Sequence, residues 1–157
     1  MSSGHLVDVV RGRQDPASID HLLRSLPDWF AIEESVRDYV EDAAALPTLL
    51  AVDAVDGTVV GALLLRRHPT SSGEIHLLAV APDRHRQGIG RRLVEEAERD
   101  LRADSVPLVH VKTQGPSLPD ADYAATLAFY LALGYLPLEE LHGYWPDVPC
   151  LILVKQL

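Results

Sequence analysis

Residues 77–93 are the most informative segment of the sequence for both fold and function. It reads Leu77-Leu78-Ala79-Val80-Ala81-Pro82-Asp83-Arg84-His85-Arg86-Gln87-Gly88-Ile89-Gly90-Arg91-Arg92-Leu93. Apolar residues typical of a strand come first, a basic loop with two glycines follows, and an amphipathic helix begins directly after the loop. The free backbone N–H groups at the start of a helix, together with the positive end of its dipole, favour binding of an anion. The stretch therefore predicts a phosphate-binding loop at a strand-to-helix junction.

Three kinds of nucleotide-binding loop have to be distinguished at this junction. A P-loop would carry a lysine and a serine or threonine where this chain has Arg91 and Arg92. A dinucleotide-binding loop would carry a third small residue in place of Leu93. Backbone amides that hold the pyrophosphate of coenzyme A need neither feature, because Gly88 and Gly90 allow the backbone to approach the phosphates closely. The loop therefore favours coenzyme A, and the alternative is a strand-to-helix turn without a ligand.

The composition of the chain limits the classes of function. Its 157 residues, 47% hydrophobic and 24% charged, predict a single globular domain over residues 1–157. The net charge of −9 argues against a nucleic acid partner, because nucleic acid binding requires a broad basic surface. No run of about 18 apolar residues occurs, so no membrane partner is predicted. The first ten residues show no signal peptide and Cys150 is the only cysteine, which favours a cytoplasmic protein.

Hydrophobic periodicity predicts the order of the secondary-structure elements. The pattern indicates one strand, two helices, three strands, a helix, a strand, a helix and two final strands. Asp15 and Pro16 predict the start of the first helix, and Gly134 predicts the end of the last one. The predicted fold class is α/β of the α+β kind, with a mixed, largely antiparallel central sheet of about seven strands flanked by about four helices.

Two motifs resemble those of a known family. The first, His85-Arg86-Gln87-Gly88-Ile89-Gly90, is similar to the loop Gln/Arg-x-x-Gly-x-Gly/Ala of the GNAT superfamily of acetyl-CoA-dependent N-acetyltransferases, with histidine at the first position. The second, Phe129-Tyr130-Leu131-Ala132-Leu133-Gly134-Tyr135, resembles the family's Phe-Tyr-x-x-x-Gly-Phe segment, with Tyr135 in place of the last phenylalanine. The motifs occur in the family's order, and the resemblance extends over roughly residues 48–157. It implies a GNAT-like sheet and an acyltransferase activity.

The resemblance implies the cofactor and the residues that hold it. Acetyl-CoA would be the acyl donor, and coenzyme A would leave as the product. Backbone groups of Leu78, Ala79 and Val80 would contact the pantetheine arm. The pyrophosphate would be held by the loop residues His85, Arg86, Gln87, Gly88, Ile89, Gly90 and Arg91. No spacing of His, Cys, Asp or Glu along the sequence indicates a metal site, so no metal is predicted.

The resemblance also implies the catalytic residues. Tyr130 would be the general acid that protonates the departing thiolate, which a phenol within hydrogen-bond reach can do. Glu74 matches the position of the glutamate base of histone-type members, and strand alternation places Glu74 and His76 on one face. Either side chain could take the amine proton, directly or through a water, and the alternative is that one or both edge the sheet in solvent. Of the other histidines, His110 is interpreted as a satisfied sheet residue and His68 as exposed.

The acceptor site has the weakest signal in the sequence. In the family, the first two helices and the loop before the last strand shape the acceptor pocket. Here these segments carry Trp29, Phe30 and Glu33, and then Trp145. Aromatic walls with carboxylates suit a protonated amine, and the alternative is that Trp29 and Phe30 cap the core.

The predicted function is an N-acetyltransferase that moves an acetyl group from acetyl-CoA directly to a primary amine of a small molecule or peptide. Two alternatives remain open at this point. One is an acyl-CoA-binding sensor that regulates a partner without turnover, and the other is an acyltransferase that acts on a macromolecular amine. A homodimer is an option, because dimers are common among the proteins that the chain resembles.

Overall fold

The computed structural model describes residues 6–69 and 71–157. Its elements are β1 (Val7–Arg11), α1 (Pro16–Arg24), α2 (Glu33–Ala43), β2 (Thr48–Asp53), β3 (Val59–His68), β4 (Ser72–Val80), α3 (Ile89–Ala103), β5 (Leu108–Gln114), α4 (Ala121–Ala132), β6 (Leu136–Leu141) and β7 (Cys150–Gln156). One short 3-10 turn, Pro82–Arg84, precedes α3. The predicted order of strands and helices is confirmed. No helix in these ranges combines the length and the apolar character that crossing a membrane requires.

The strands form one mixed sheet in the order β1-β2-β3-β4-β5-β7-β6. β2 pairs antiparallel with β1 and β3, and β7 pairs antiparallel with β5 and β6. β4 and β5 are parallel, and their register sets Glu74 opposite His110. The predicted fold class, a largely antiparallel sheet with flanking helices, is confirmed.

The chain divides into two compact units. The first unit runs to Arg66 and takes in Leu77–Ala97, and the second comprises Arg67–His76 and Glu98–Leu157. The prediction of a single domain over residues 1–157 stays a prediction.

The core of the first unit is built by α1 and α2 together with strands β2, β3 and β4. Asp15 caps α1 by accepting a hydrogen bond from the Ser18 N–H at 3.1 Å, and Pro16 occupies the first turn, as predicted. Apolar positions at helical spacing bring one face of each helix to the sheet. The buried side chains are Ile19, Leu22, Leu23, Leu26, Val36, Ala43, Leu50, Val52, Ala62, Leu64, Leu77 and Ala79. Burial of one such leucine contributes about 1.5–3 kcal/mol, so the last half of β4 is firmly held.

The second unit contains a buried carboxylate that supports α4. Glu98 is 3% exposed and accepts hydrogen bonds from Tyr135 Oη at 3.0 Å and from Lys155 Nζ at 2.7 Å. Lys155 Nζ also donates to the carbonyl of Leu133 at 2.8 Å, beyond the last turn of α4. Gly134 follows with φ +90°, the left-handed conformation that ends the helix as predicted. These contacts fix the carboxyl-terminal end of α4.

Candidate functional site

The glycine loop joins β4 to α3 within the first unit. Arg86 and Gly88 have φ values of 63° and 78°, which glycine adopts readily and other residues rarely do. Within the described part of the chain, the backbone N–H groups of residues 86–91 donate to no protein acceptor, and the first donor after them is Arg92 N, bonded to the carbonyl of Gly88 at 3.0 Å. Free amides at the start of a helix are the groups that bind an anion. The loop therefore presents free backbone amides at the start of α3, and its binding of a phosphate stays a prediction.

An ion pair anchors the beginning of the loop. Arg84 donates a hydrogen bond from Nη2 to Oδ2 of Asp53, at the end of β2, and the Asp53 side chain is 2% exposed. The hydrogen bond from Arg84 lowers the pKa of this carboxyl, and a further bond from the Val55 N–H at 2.8 Å acts in the same direction. Sequence reasoning missed the pair because its members lie 31 positions apart and no local pattern connects them.

His85 and Trp29 lie beside the loop. His85 Nε2 is 2.7 Å from the carbonyl oxygen of Val80, and the His85 ring meets Trp29 edge-to-face with 5.8 Å between centroids. Ala79 is buried, whereas Leu78 and Val80 are half-buried. The histidine that departs from the family's loop pattern therefore engages a backbone group expected to contact pantetheine.

The other two acceptor residues predicted in the first unit have partners within the protein. Glu33 accepts hydrogen bonds from both Nη atoms of Arg24 at 2.7 and 2.9 Å and from Arg37 Nε at 3.3 Å. The Arg24 guanidinium lowers the pKa of Glu33 to about 2. Phe30 packs edge-on against Tyr39, with 5.9 Å between ring centroids, and is partly buried against the core. The charge of Glu33 is thus already compensated by two arginines.

Glu74 is the centre of a polar cluster in the second unit. It is 4% exposed, and its Oε1 accepts a hydrogen bond from His68 Nε2 at 2.7 Å and lies 3.7 Å from His110 Nε2. Its Oε2 lies 3.4 Å from Lys112 Nζ. Burial by itself would raise the pKa of Glu74, but the His68 hydrogen bond and the Lys112 charge outweigh it, so this pKa is lowered. The carboxyl is therefore ionised at neutral pH.

The two histidines of this cluster were not expected to belong to a site. His68 ends β3 and its side chain is 39% exposed, whereas His110 lies in β5 and is more deeply buried. Their ring centroids are 5.0 Å apart, and burial lowers the pKa of His110. The parallel register of β4 and β5 brings His110 to Glu74. In the sequence, alternation in the strand Leu108–Gln114 indicates only which residues of that strand share a face with His110. The pairing of His110 with Glu74 could not be predicted, because strand register is not encoded locally.

Two further predicted site residues, His76 and Trp145, also lie in the second unit. His76 is half-buried two residues after Glu74 on β4, and its charge acts to lower the pKa of Glu74. Trp145 lies beside Tyr144 with 6.0 Å between ring centroids, and Lys112 Nζ is 5.5 Å from the centroid of the Tyr144 ring. Lys112 thus connects the loop that carries Trp145 with the buried carboxylate.

Tyr130 is buried in α4 among aromatic rings. Its ring meets Phe129 and Tyr135 at steep angles, with centroid distances of 5.0 and 5.3 Å. Burial raises the pKa of Tyr130 above its ordinary value. The phenol therefore keeps its proton at neutral and mildly alkaline pH, as a hydrogen-bond donor must.

Comparison with known proteins agrees with the two motifs. The profile of the acetyltransferase (GNAT) family matches residues 17–135. The chain is 31% identical over 116 residues to the mycothiol acetyltransferase of Saccharopolyspora erythraea, a match that covers 74% of this chain and 32% of that protein. The chain thus spans about a third of the length of that curated relative.

Solved structures show the same fold. The ribosomal-protein-S18-alanine N-acetyltransferase from Escherichia coli matches with a TM-score of 0.77 at 18% identity, over 96% of this chain and 94% of that chain. A GNAT family acetyltransferase from Elizabethkingia anophelis with acetyl-CoA bound matches with a TM-score of 0.71 at 17% identity, over 96% and 98%. At these identities the likeness shows the fold alone. Because the family profile covers most of the chain, the resemblance is confirmed, and the chain belongs to the acetyltransferase (GNAT) family of transferases.

Proposed function

We propose that the protein transfers an acetyl group from acetyl-CoA to a primary amine of a small molecule or peptide, by direct sequential transfer. The observation that carries the proposal is the row of backbone N–H groups at residues 86–91, which have no protein acceptor among the described residues. These amides and the positive end of α3 suit a pyrophosphate. The Elizabethkingia anophelis relative with acetyl-CoA bound supports the identity of the donor.

The proposed cofactor contacts follow the chain from β4 into α3. Backbone groups of Leu78, Ala79 and Val80 contact the pantetheine arm, and residues 85–91 hold the pyrophosphate. Because a carbonyl oxygen can accept two hydrogen bonds, pantetheine either shares the Val80 oxygen with His85 Nε2, which lies 2.7 Å away, or displaces His85 from it. The side chains of Arg86 and Arg91 add positive charge beside the amides.

In the proposed chemistry, the neutral amine attacks the thioester carbonyl and the tetrahedral intermediate expels the coenzyme A thiolate. Tyr130 donates its phenolic proton to the departing sulfur, a role supported by its place in the Phe-Tyr motif and by burial that keeps the phenol protonated. Glu74, His76 or a water next to them takes the proton of the amine. The partners of Glu74 keep its carboxyl ionised, which supports a part for it in binding or deprotonating a cationic amine.

The acceptor is proposed to contact Trp145, whose neighbour Tyr144 is linked to Glu74 through Lys112. Trp29, Phe30 and Glu33 stay proposed contact residues. Trp29 and Phe30 pack against the core, and Glu33 pairs with two arginines. We therefore expect that replacing these residues lowers the stability of the protein as well as its affinity for the acceptor. We further propose a cytoplasmic location, supported by the single cysteine, and a homodimer, which light scattering would test.

The decisive assay is release of free thiol from acetyl-CoA against polyamines, aminoglycosides, amino acids and peptides. Tyr130→Phe should lower kcat by about 10²–10⁴-fold and leave the Kd for acetyl-CoA nearly unchanged, because the proton donor acts in the transition state. Tyr123→Phe, on the same helix, is the matched control and should keep the wild-type kcat. Full turnover of Tyr130→Phe with chemistry rate-limiting would show that another group is the acid.

Two further outcomes separate the alternatives. Tight acetyl-CoA binding without thiol release against any amine would favour the sensor, whereas activity only on intact proteins would favour a macromolecular acceptor. Glu74→Gln and His76→Gln divide the candidates for the base, since only the variant that removes the base lowers kcat at saturating acceptor. If neither variant lowers kcat, water is the remaining candidate.

A further inference from the structure

We propose that His68, Glu74 and His110 form a binding site for a divalent transition-metal ion, with zinc as the occupant. Their ligand atoms, one from each side chain, all lie within 4.8 Å of one another. Two imidazoles and one carboxylate are a donor set that zinc takes in proteins, with the fourth position open to water. The inference is independent of acetyl transfer, because it rests only on the positions of three side chains, all of which lie in the second unit.

Both imidazoles present Nε2 to the same carboxylate oxygen. His68 Nε2 lies 2.7 Å and His110 Nε2 lies 3.7 Å from Oε1 of Glu74. To coordinate a metal, each imidazole must carry its ring proton on Nδ1 and the lone pair on Nε2. His110 Nδ1 lies 2.5 Å from Ser72 Oγ, which can accept a hydrogen bond from that proton.

Neighbouring groups support two of the three ligands, His110 and Glu74, in the manner of known metal sites, where the ligands are themselves hydrogen-bonded. Ser72 orients His110 through Nδ1. Lys112 Nζ, 3.4 Å from Oε2 of Glu74, occupies the other carboxylate oxygen and leaves Oε1 for the metal. The positive charge of Lys112 weakens cation binding, so we expect a Kd on the order of micromolar rather than the tight binding of a structural zinc site.

Coordination requires a modest rearrangement of side chains. Zinc binds nitrogen and oxygen at about 2.0–2.2 Å, which sets ligand atoms roughly 3.3 Å apart in a tetrahedral site. The separation between His68 Nε2 and Glu74 Oε1 must open, and that between His110 Nε2 and Oε1 must close. His68 has room to move, because its side chain is 39% exposed at the end of β3.

Zinc binding would affect acetyl transfer if Glu74 accepts the proton of the amine. Oε1 of Glu74 cannot both coordinate zinc and accept a proton from an amine. Zinc should then slow acetyl transfer, although zinc binding itself does not depend on the reaction.

Isothermal titration of the full chain with zinc after chelator treatment tests the proposal directly, and visible absorption of cobalt(II) in its place reports the coordination geometry. We expect one saturable site, a weakening of about tenfold or more in His68→Ala and in His110→Ala, and no binding in the double variant. His142→Ala, an exposed histidine outside the cluster, is the matched control and should bind within about twofold of the wild type.

Two results would overturn the proposal. One is the absence of saturable binding by the wild type below about 100 μM zinc, and the other is undiminished affinity in the double variant. If circular dichroism shows that the alanine variants do not fold, His68→Gln and His110→Asn keep a polar side chain at each position, and their loss or retention of zinc binding decides in the same way.

Discussion

Replacing Tyr135 with phenylalanine should destabilise the protein, although phenylalanine is the residue that the family's motif carries at this position. The Tyr135 hydroxyl donates to Oε2 of Glu98 at 3.0 Å, and both side chains are buried. A hydrogen bond to a charged group contributes about 1.5–3 kcal/mol. The aromatic ring remains in Tyr135→Phe, so no large cavity forms, and Lys155 Nζ still binds the carboxylate at 2.7 Å. We therefore expect a loss of about 1.5–2 kcal/mol, in the lower part of that range.

Urea denaturation followed by circular dichroism measures this loss, with the m value expected to stay unchanged. For a chain of this size the Tm should fall by roughly 3–8 °C. Tyr144→Phe is the control, since Tyr144 is 53% exposed and its change should stay within about 0.5 kcal/mol. In a double-mutant cycle with Glu98→Leu, we expect a coupling of about 1 kcal/mol or more. A loss below about 0.5 kcal/mol, or additive effects of the two single substitutions, would show that the hydrogen bond between Tyr135 and Glu98 does not stabilise the fold.

Three further predictions concern the first unit. Asp53→Asn should raise the KM for acetyl-CoA roughly three- to tenfold, the range of one lost hydrogen bond, because Asp53 anchors the loop through Arg84; an unchanged KM in steady-state kinetics would show that the loop holds its shape without the pair. Arg86 has φ 63°, a backbone conformation that is strained for residues other than glycine. In urea denaturation, Arg86→Gly should therefore keep the stability of the wild type or raise it by up to about 1 kcal/mol, and Arg86→Val should lower it by about 1–2 kcal/mol. Equal stabilities of the two variants would show that the backbone is not strained at this residue. In Arg24→Gln the pKa of Glu33, about 2 in the wild type, should return toward 4.5 in an NMR titration. Because the pKa of Glu33 is lowered in the folded state, the stability contributed by its charge is present above pH 4.5 and is lost as the pH falls toward 2. If the difference in stability between the wild type and Arg24→Gln stayed constant over this range, the ion pair of Arg24 and Glu33 would not contribute to stability.

Much of the fold was predictable from local patterns. The order of strands and helices followed from hydrophobic periodicity, and the start of α1 followed from Asp15 and Pro16, whose roles depend on neighbouring residues. Gly134 ends α4 at φ +90° for a similarly local reason. The reason for a tyrosine at position 135 was not predictable, because the sequence shows only that this residue departs from the family's motif. Its partner Glu98 lies 37 positions earlier, and only packing brings the two together.

The glycine loop is specified by local sequence. The groups proposed to bind the pyrophosphate are consecutive backbone amides at the start of a helix, so spacing along the chain is sufficient to specify them. The surroundings of Glu74, in contrast, depend on how the whole chain folds. Its partners His68, His110 and Lys112 come from neighbouring strands, and strand register depends on the packing of the whole sheet. A shift of one residue in the pairing of β4 and β5 would turn His110 to the other face, and the polar cluster would not form.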